Sequence, residues 1–327
     1  MADASTELDG AARARSVRTL PPRAQIIGFG IMTALLLAAP YLIYPVFVMR
    51  VLCFAIFASA FNLLIGYAGL LSFGHAAFLG MAGYVTGYTA KIWGWPPEAA
   101  LLAGVAAAAL LGLVFGVLAI RRQGIYFAMI TLALAQMVYF FCLQAPFTGG
   151  EDGIQSVPRG RLFGLIDLGQ MMNLYFVILA IFIACFLLIY RIIHSPFGQV
   201  LKAIRENEPR AISLGYRAER YKLLAFVISA ALSGLAGGLG TILFQLASLT
   251  DVHWSRSGEV VLMTLLGGLG TVFGPVVGAV IIVTLQNYLA QLGSWVTVAQ
   301  GLAFVVCVLA FRRGIVGELG RALGKAL

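Results

Sequence analysis

Asn62, Ser72 and His75 interrupt an otherwise apolar stretch, FNLLIGYAGLLSFGHAAFLG, at residues 61–80. A carboxamide, a hydroxyl and an imidazole at intramembrane depth can hydrogen-bond a small solute along a pathway. Polar groups there usually face the protein interior or an aqueous cavity. For His75 a second reading stands beside this one, a packed and hydrogen-bonded histidine. Thr131, Gln136 and Gln144 are weaker candidates in the apolar segment 125–144. Phe73, Tyr84, Tyr126 and Phe127 either line an apolar passage or simply pack. The candidate translocation pathway is therefore Asn62, Gly69, Ser72, Phe73, His75, Thr131, Gln136, Gly267 and Gly270.

Other chemistry is missing. No acidic residue falls in the middle of an apolar run, and Glu259 comes nearest. Intramembrane Asp or Glu commonly binds the coupling ion of ion-driven carriers, which argues against that class, although backbone carbonyls can bind sodium without them. None of Lys91, Lys202, Lys222 and Lys325 precedes Ser or Thr, so there is no phosphate-binding loop of the G-x-x-x-x-G-K-[ST] type. There is no metal-ligand cluster, nucleophile elbow or carboxylate pair at that depth. The expectation is a chain without catalytic or metal site and without a bound cofactor. Energy for active transport would have to arrive from another polypeptide.

The elements that position these residues are membrane helices. Of 327 residues, 61% are hydrophobic and only 11% charged, against roughly a quarter charged in soluble domains. Apolar runs near the ~20 residues that cross a bilayer core recur along the chain. We expect an all-α integral membrane protein with about ten transmembrane helices, at approximately 26–45, 47–66, 70–91, 98–120, 125–144, 172–191, 222–245, 256–271, 274–291 and 295–311. A cytoplasmic arm (1–25) precedes this permease-like body (26–311), and a cytoplasmic tail (312–327) follows. Cys53, Cys142, Cys185 and Cys307 all lie in apolar runs and read as plain core or lipid-facing thiols.

With both termini inside, 17 of the 22 Lys and Arg fall on the cytoplasmic side. The positive-inside rule thus accounts for the net charge of +9 without nucleic acid. The alternation requires residues 256–291 to cross twice or to hold a broken helix with a re-entrant piece. The outer segment 145–171, rich in Gly, Pro and charge, is an exposed connector or a face for a soluble partner.

Two apolar regions are dense in glycine, residues 66–87 and 267–280. Gly66, Gly69, Phe73 and Gly74 match Gly267, Gly270, Phe273 and Gly274 with one residue of slip. This suggests an internal repeat with broken helices, a common transporter architecture. Chance repetition and glycine-mediated close packing are the competing readings.

The longest polar interruption, residues 191–222, carries seven of the 22 basic residues. Ser195 and Pro196 open a helix, with Val200, Leu201 and Ile204 as its apolar edge and Lys202 and Glu206 spaced for an i,i+4 pair. Pro209 interrupts or restarts it, and Gly215 stops it. By composition this loop is a protein-docking segment, an amphipathic helix on lipid, or a solvated connector.

The strings FNLLIGYAGLLSFGHAAFLG, GIYFAMITLALAQM, TGGEDGI, FGQVLKAIRENEPRAISLGYRAERYKLLAF and LLGGLGTVFGPVVGA, in this order, resemble the permease subunits of branched-chain amino acid ABC importers, the LivM type. The resemblance covers roughly residues 45–315. It implies a pathway subunit in a bacterial inner membrane, paired with a homologous LivH-type permease, two cytoplasmic ATPase subunits that hydrolyse ATP with Mg, and a periplasmic binding protein. It also implies that loop 192–221 couples to the ATPase, with Ala203, Arg205, Glu206, Glu208, Ala211 and Gly215 as docking positions. Pro209 and Arg210 depart from the small residues usual in such segments. Relatives in the family carry urea, short amides or small organic acids, so the substrate stays open.

Overall fold

Proline starts many of the helices, because its fixed φ and missing N–H suit a first turn. The computed structural model describes residues 22–289, 298, 301, 302, 305 and 314–322. Helix α1 is Pro22–Leu42 and α2 is Pro45–Asn62, which runs on through a π-helical turn, Leu63–Ala68. Helix α3 is His75–Lys91, α4 is Pro97–Ala119 and α5 is Ile125–Gln144. After three short strands, β1 (Ile154–Gln155), β2 (Arg161–Leu162) and β3 (Ile166–Asp167), comes α6, Met171–His194. The polar interruption folds as α7 (Pro196–Glu206) and α8 (Glu208–Ser213). Helix α9, Ala218–Phe244, leads to β4 (Leu246–Ala247), α10 (Leu249–Val252), α11 (Trp254–Gly267), α12 (Gly274–Leu289) and α13 (Ile315–Ala322).

Five of these helices are long and apolar enough to cross a membrane: α2 with its π turn, α4, α5, α6 and α9. The apolar Gly28–Leu42 and Gly274–Leu289 are shorter. The architecture is that of a multi-pass, all-α membrane protein with two small antiparallel ladders, β1–β4 and β2–β3. In α2 89% of the apolar window is buried, against 33% in α4 and in α5. A helix apolar all round belongs in an interior, so α2 is the central element and α4 and α5 turn faces outward. Helix α9 packs against α2, α3 and α4. Contact is close enough there that a Cβ on Gly237 would overlap the carbonyl of Leu79, as expected where small residues let membrane helices approach.

The structure corrects two expectations. The third span does not begin at residue 70. Gly69 has φ 74° and residues 69–74 leave the helical path, so α3 begins at His75. A left-handed residue ends the hydrogen-bond ladder, and glycine adopts it without a Cβ clash. Lys202 and Glu206 do not form an ion pair. The Lys202 ammonium instead sits over the Tyr67 ring, 5.5 Å from its centroid. Residues 256–291 are two helices, α11 and α12, which pack on each other across a break at 268–273. At 14 residues α11 is about 21 Å long, short of the ~30 Å core. Most of the expected span 295–311, the first 21 residues of the arm, Cys307 and residues 312, 313 and 323–327 of the tail lie outside the described residues.

Candidate functional site

The two glycine-rich breaks meet. Asn62, 2% exposed at the end of α2, accepts a hydrogen bond on Oδ1 from the Gly270 N–H at 3.0 Å and donates from Nδ2 to the Thr271 carbonyl at 2.9 Å. Tyr67 O–H donates to the Gly270 carbonyl at 2.8 Å. Backbone freed by unwinding must find partners in an apolar setting, and side chains of the first break supply them to the second. The backbones touch as well: a Cβ on Gly66 would lie 2.8 Å from the Gly270 nitrogen. Each break contains a left-handed glycine, Gly69 at φ 74° and Gly270 at φ 72°, and closes where a helix restarts, at His75 and Gly274. Gly267 lies against the Gly274 backbone.

Helix α7 lies against this junction. Ser195 caps it, accepting from the Gly198 N–H at 3.3 Å. Leu201 and Ile204 are buried, and Val200 packs beside Ile204. Arg205 leaves the opposite way from a solvated arginine: its Nη1 donates to the Gly66 carbonyl, and its Cγ covers Gly69. Burial lowers the Lys202 pKa from the ordinary lysine value, while the nearby Glu206 charge opposes this.

The elbow after α7 is locked to the body. Asn207 caps α8 by accepting from the Arg210 N–H at 3.1 Å, and Pro209 occupies the first turn of α8. Proline at this position starts a second short helix rather than disrupting the first. Glu208 pairs with Lys222 at 2.6 Å and accepts from Gln123 Nε2 at 2.7 Å, joining the α4–α5 connection, α8 and the foot of α9. Ala211 is buried with Ile204 and Ala218. Gly215 takes φ 90° and ends the segment. Of the docking positions read from the sequence, Ala203, Glu206 and Gly215 are exposed. Arg205 is exposed as well, although its guanidinium reaches the Gly66 carbonyl, whereas Glu208 is half-buried against Lys222 and Ala211 is buried.

The pathway candidates separate. Asn62, Gly69 and Gly270 belong to the junction. Ser72 Oγ accepts from the Gly74 N–H, and Thr131 Oγ1 accepts from the Phe73 N–H, both at 3.1 Å. His75 is fully buried, with Phe61, Phe78 and Phe226 presenting edges around it. Its Nε2 lies 2.9 Å from Ser229 Oγ, and that hydroxyl donates to the Ala60 carbonyl at 2.6 Å. The geometry therefore assigns the proton to Nε2, leaving Nδ1 without a partner. In this conformation His75 is packed, as are Tyr84 and Phe127, whereas Tyr126 is exposed. Gln136 is half-buried on α5. Cys53, Cys142 and Cys185 are buried free thiols.

A second feature was not singled out in the sequence. A cavity of about 310 Å³ opens between α2, α3, α9 and α10, and none of the pathway candidates lines it. Arg50 and Arg256 reach its edge, their guanidinium carbons 5.9 and 5.7 Å from the Phe54 ring centroid. Arg256 donates to Glu259 at 2.9 Å and lies 3.4 Å from Asp251. Arg50 donates to Gln286 at 3.3 Å. The TGGEDGI segment folds beside this cavity: Ile154 pairs with Ala247, Gln155 pairs with Leu246, and Arg159 donates to the Leu243 carbonyl at 3.0 Å. Charge bias alone marked Arg50 and Arg256. Their convergence on one phenyl ring, from positions 206 residues apart, had no local signal.

The high-affinity branched-chain amino acid transport system permease protein LivM of Escherichia coli is 27% identical over 284 residues, which cover 78% of this chain and 66% of that protein. The chain thus spans just under two thirds of that relative's length. The probable branched-chain amino acid transport permease protein LivM of Methanocaldococcus jannaschii is 28% identical, over 62% of this chain and 60% of the relative. The ribose import permease protein RbsC of Bacillus subtilis is 31% identical, over 55% and 58%. No solved structure matches the chain. The family described as the branched-chain amino acid transport system permease component matches residues 45–311, and the chain, matched over most of its length, belongs to that family.

Proposed function

We propose that this chain is the pathway-forming permease subunit of an ATP-driven importer for branched-chain or similar amino acids. It binds no cofactor of its own. Two cytoplasmic ATPase subunits hydrolyse ATP with Mg, a LivH-type second permease completes the pathway, and a periplasmic binding protein delivers the cargo. The chain sits in a bacterial inner membrane, crosses it about ten times and keeps both termini in the cytoplasm. Its two glycine breaks are equivalent parts of an internal repeat. They share a left-handed glycine, an unwound stretch and a helix restart, 201 residues apart from Gly69 to Gly270.

One observation carries this reading. The amphipathic helix α7 is bound by Arg205 to the first break, which is itself bound to the second. A partner that displaced α7, gripping Ala203 and Glu206 on its exposed side and Gly215 beyond α8, would move both breaks together. Rigid surface helices transmit displacement where a slack loop would absorb it.

The test is reconstitution of the chain with its second permease, ATPases and binding protein in liposomes. Labelled leucine should accumulate only with ATP inside and the binding protein outside. Movement of solute by this chain alone, without ATP, would favour a stand-alone channel or secondary transporter. Urea, short amides, small organic acids and, given the ribose-permease relative, ribose are the competing cargoes in the same assay.

A further inference from the structure

The charges around the outer cavity take no part in the coupling described above. The cavity lies along α9 from Ala236 to Phe244. Ala236 is 18 residues beyond Ala218, or about 27 Å along the helix axis. This places the cavity at the opposite end of the helix from α7 and α8, on the outer side of the proposed topology. Cys53, Phe54, Leu79 and Phe244 give it an apolar interior, and glycines on α3 and α9 make the room.

At one end stand two cations and one anion. Arg50 and Arg256 flank Phe54, and Asp251 lies beside Arg256. Arg256 Nη1 is engaged by Glu259, and its Nε, which makes no hydrogen bond, faces Asp251 Oδ1 across an ion pair of 3.4 Å. A guanidinium suits a carboxylate, a carboxylate suits an ammonium, and an apolar room suits an aliphatic side chain. About 300 Å³ is the small end of ligand-pocket volumes, and this one holds 310 Å³.

We propose that this cavity is a binding site for a zwitterionic α-amino acid with an apolar side chain. The ligand carboxylate meets Arg256 and Arg50, its ammonium meets Asp251, and its side chain enters toward Phe54 and Leu79. The proposal rests on the amino-acid reading of the cargo and locates in this chain a site for it on the outer face.

The experiment uses the full chain in lipid nanodiscs, titrated calorimetrically with L-leucine, L-leucinamide, 4-methylpentanoate and D-ribose. Leucinamide lacks the carboxylate and 4-methylpentanoate lacks the ammonium. Leucine should bind, and each analogue should bind at least about tenfold more weakly, the equivalent of losing one good polar contact. Asp251→Asn should weaken leucine about tenfold while leaving 4-methylpentanoate unchanged. Gly240→Leu should abolish leucine binding at an unchanged melting temperature, because a Cβ there meets nothing within 4 Å and the residue lines the cavity. Equal affinity for leucine and its analogues overturns the proposal. So does leucine binding that both substitutions leave intact, and so does the absence of leucine binding. ATP-driven leucine uptake by the assembled importer separates the two ideas. If uptake persists while binding to this chain fails, only the site is wrong. If the importer moves D-ribose and no leucine, the cargo reading is wrong as well.

Discussion

Arg205 on α7 donates a hydrogen bond to the carbonyl oxygen of Gly66, 139 residues earlier in the chain. The contact joins a polar surface helix to the π-helical turn that ends the central membrane helix. It turns what composition presents as a charged loop into a lever with a defined point of attachment.

Arg205→Ala should uncouple the two ends of that lever. In the reconstituted importer we expect ATP hydrolysis to persist while leucine uptake per ATP falls about tenfold, the scale of a lost charge-assisted hydrogen bond. Arg205→Lys should restore only part, since it keeps the methylenes over Gly69 but replaces the guanidinium on the Gly66 carbonyl with a strongly hydrated ammonium. Parallel loss of hydrolysis and uptake would mean that Arg205 acts in ATPase docking and not in transmission.

The Glu208–Lys222 pair should behave as a largely buried ion pair, with side chains 18% and 5% exposed. Removing one partner from a fully buried pair costs about 3–5 kcal/mol, and partial exposure of Glu208 reduces this to about 1–2 kcal/mol. Glu208→Gln and Lys222→Met should each lower thermal stability in detergent. The double variant should be less destabilised than the two singles summed, because neither charge is stranded. Additive losses would show that the pair is not coupled.

Glycine at the junction should be irreplaceable, and glycine facing open space should not. Gly270→Ala forces a Cβ into a left-handed conformation at about 1–2 kcal/mol beside the Gly66 carbonyl. Gly66→Ala drives a Cβ into Asn62 Oδ1 and the Gly270 backbone, and should be worse. Gly258→Ala, inside α11 with nothing within 4 Å of the new Cβ, should leave stability equal or raise it by about 0.5–1 kcal/mol. Melting temperatures of the three variants give the order directly.

His75→Phe distinguishes packing from a role in the pathway. Three phenyl rings already surround the imidazole, and Ser229 keeps its bond to Ala60 without it. We expect uptake within about twofold of wild type and a stability change of about 1–2 kcal/mol from the altered shape. Loss of uptake by an order of magnitude in a well-folded variant would return His75 to the pathway.

Much of this molecule is visible in its sequence because the signals are local. Twenty-residue apolar runs, proline at helix starts and glycine at helix stops depend only on neighbours, so α5 begins and ends at the expected residues, 125 and 144. The start and stop of the α7–α8 segment follow from Ser195, Pro196 and Gly215 in the same way. Of the two readings of Pro209, interruption or restart, the structure takes the restart: Pro209 stands in the first turn of α8, which Asn207 caps.

What only the tertiary structure decided are the partners. Asn62 with Gly270, Arg205 with Gly66, and Arg50 with Arg256 across Phe54 are pairings over long sequence separations. A polar group in an apolar body must be satisfied, and the sequence announces that need. It does not say by whom, because packing of distant helices determines which groups come within hydrogen-bonding reach. Hence the sequence by itself pointed to a membrane permease with two breaks and one amphipathic polar segment. Only the fold showed that the breaks touch, that Arg205 holds them, that His75 is packed, and that the outer charges converge on a cavity.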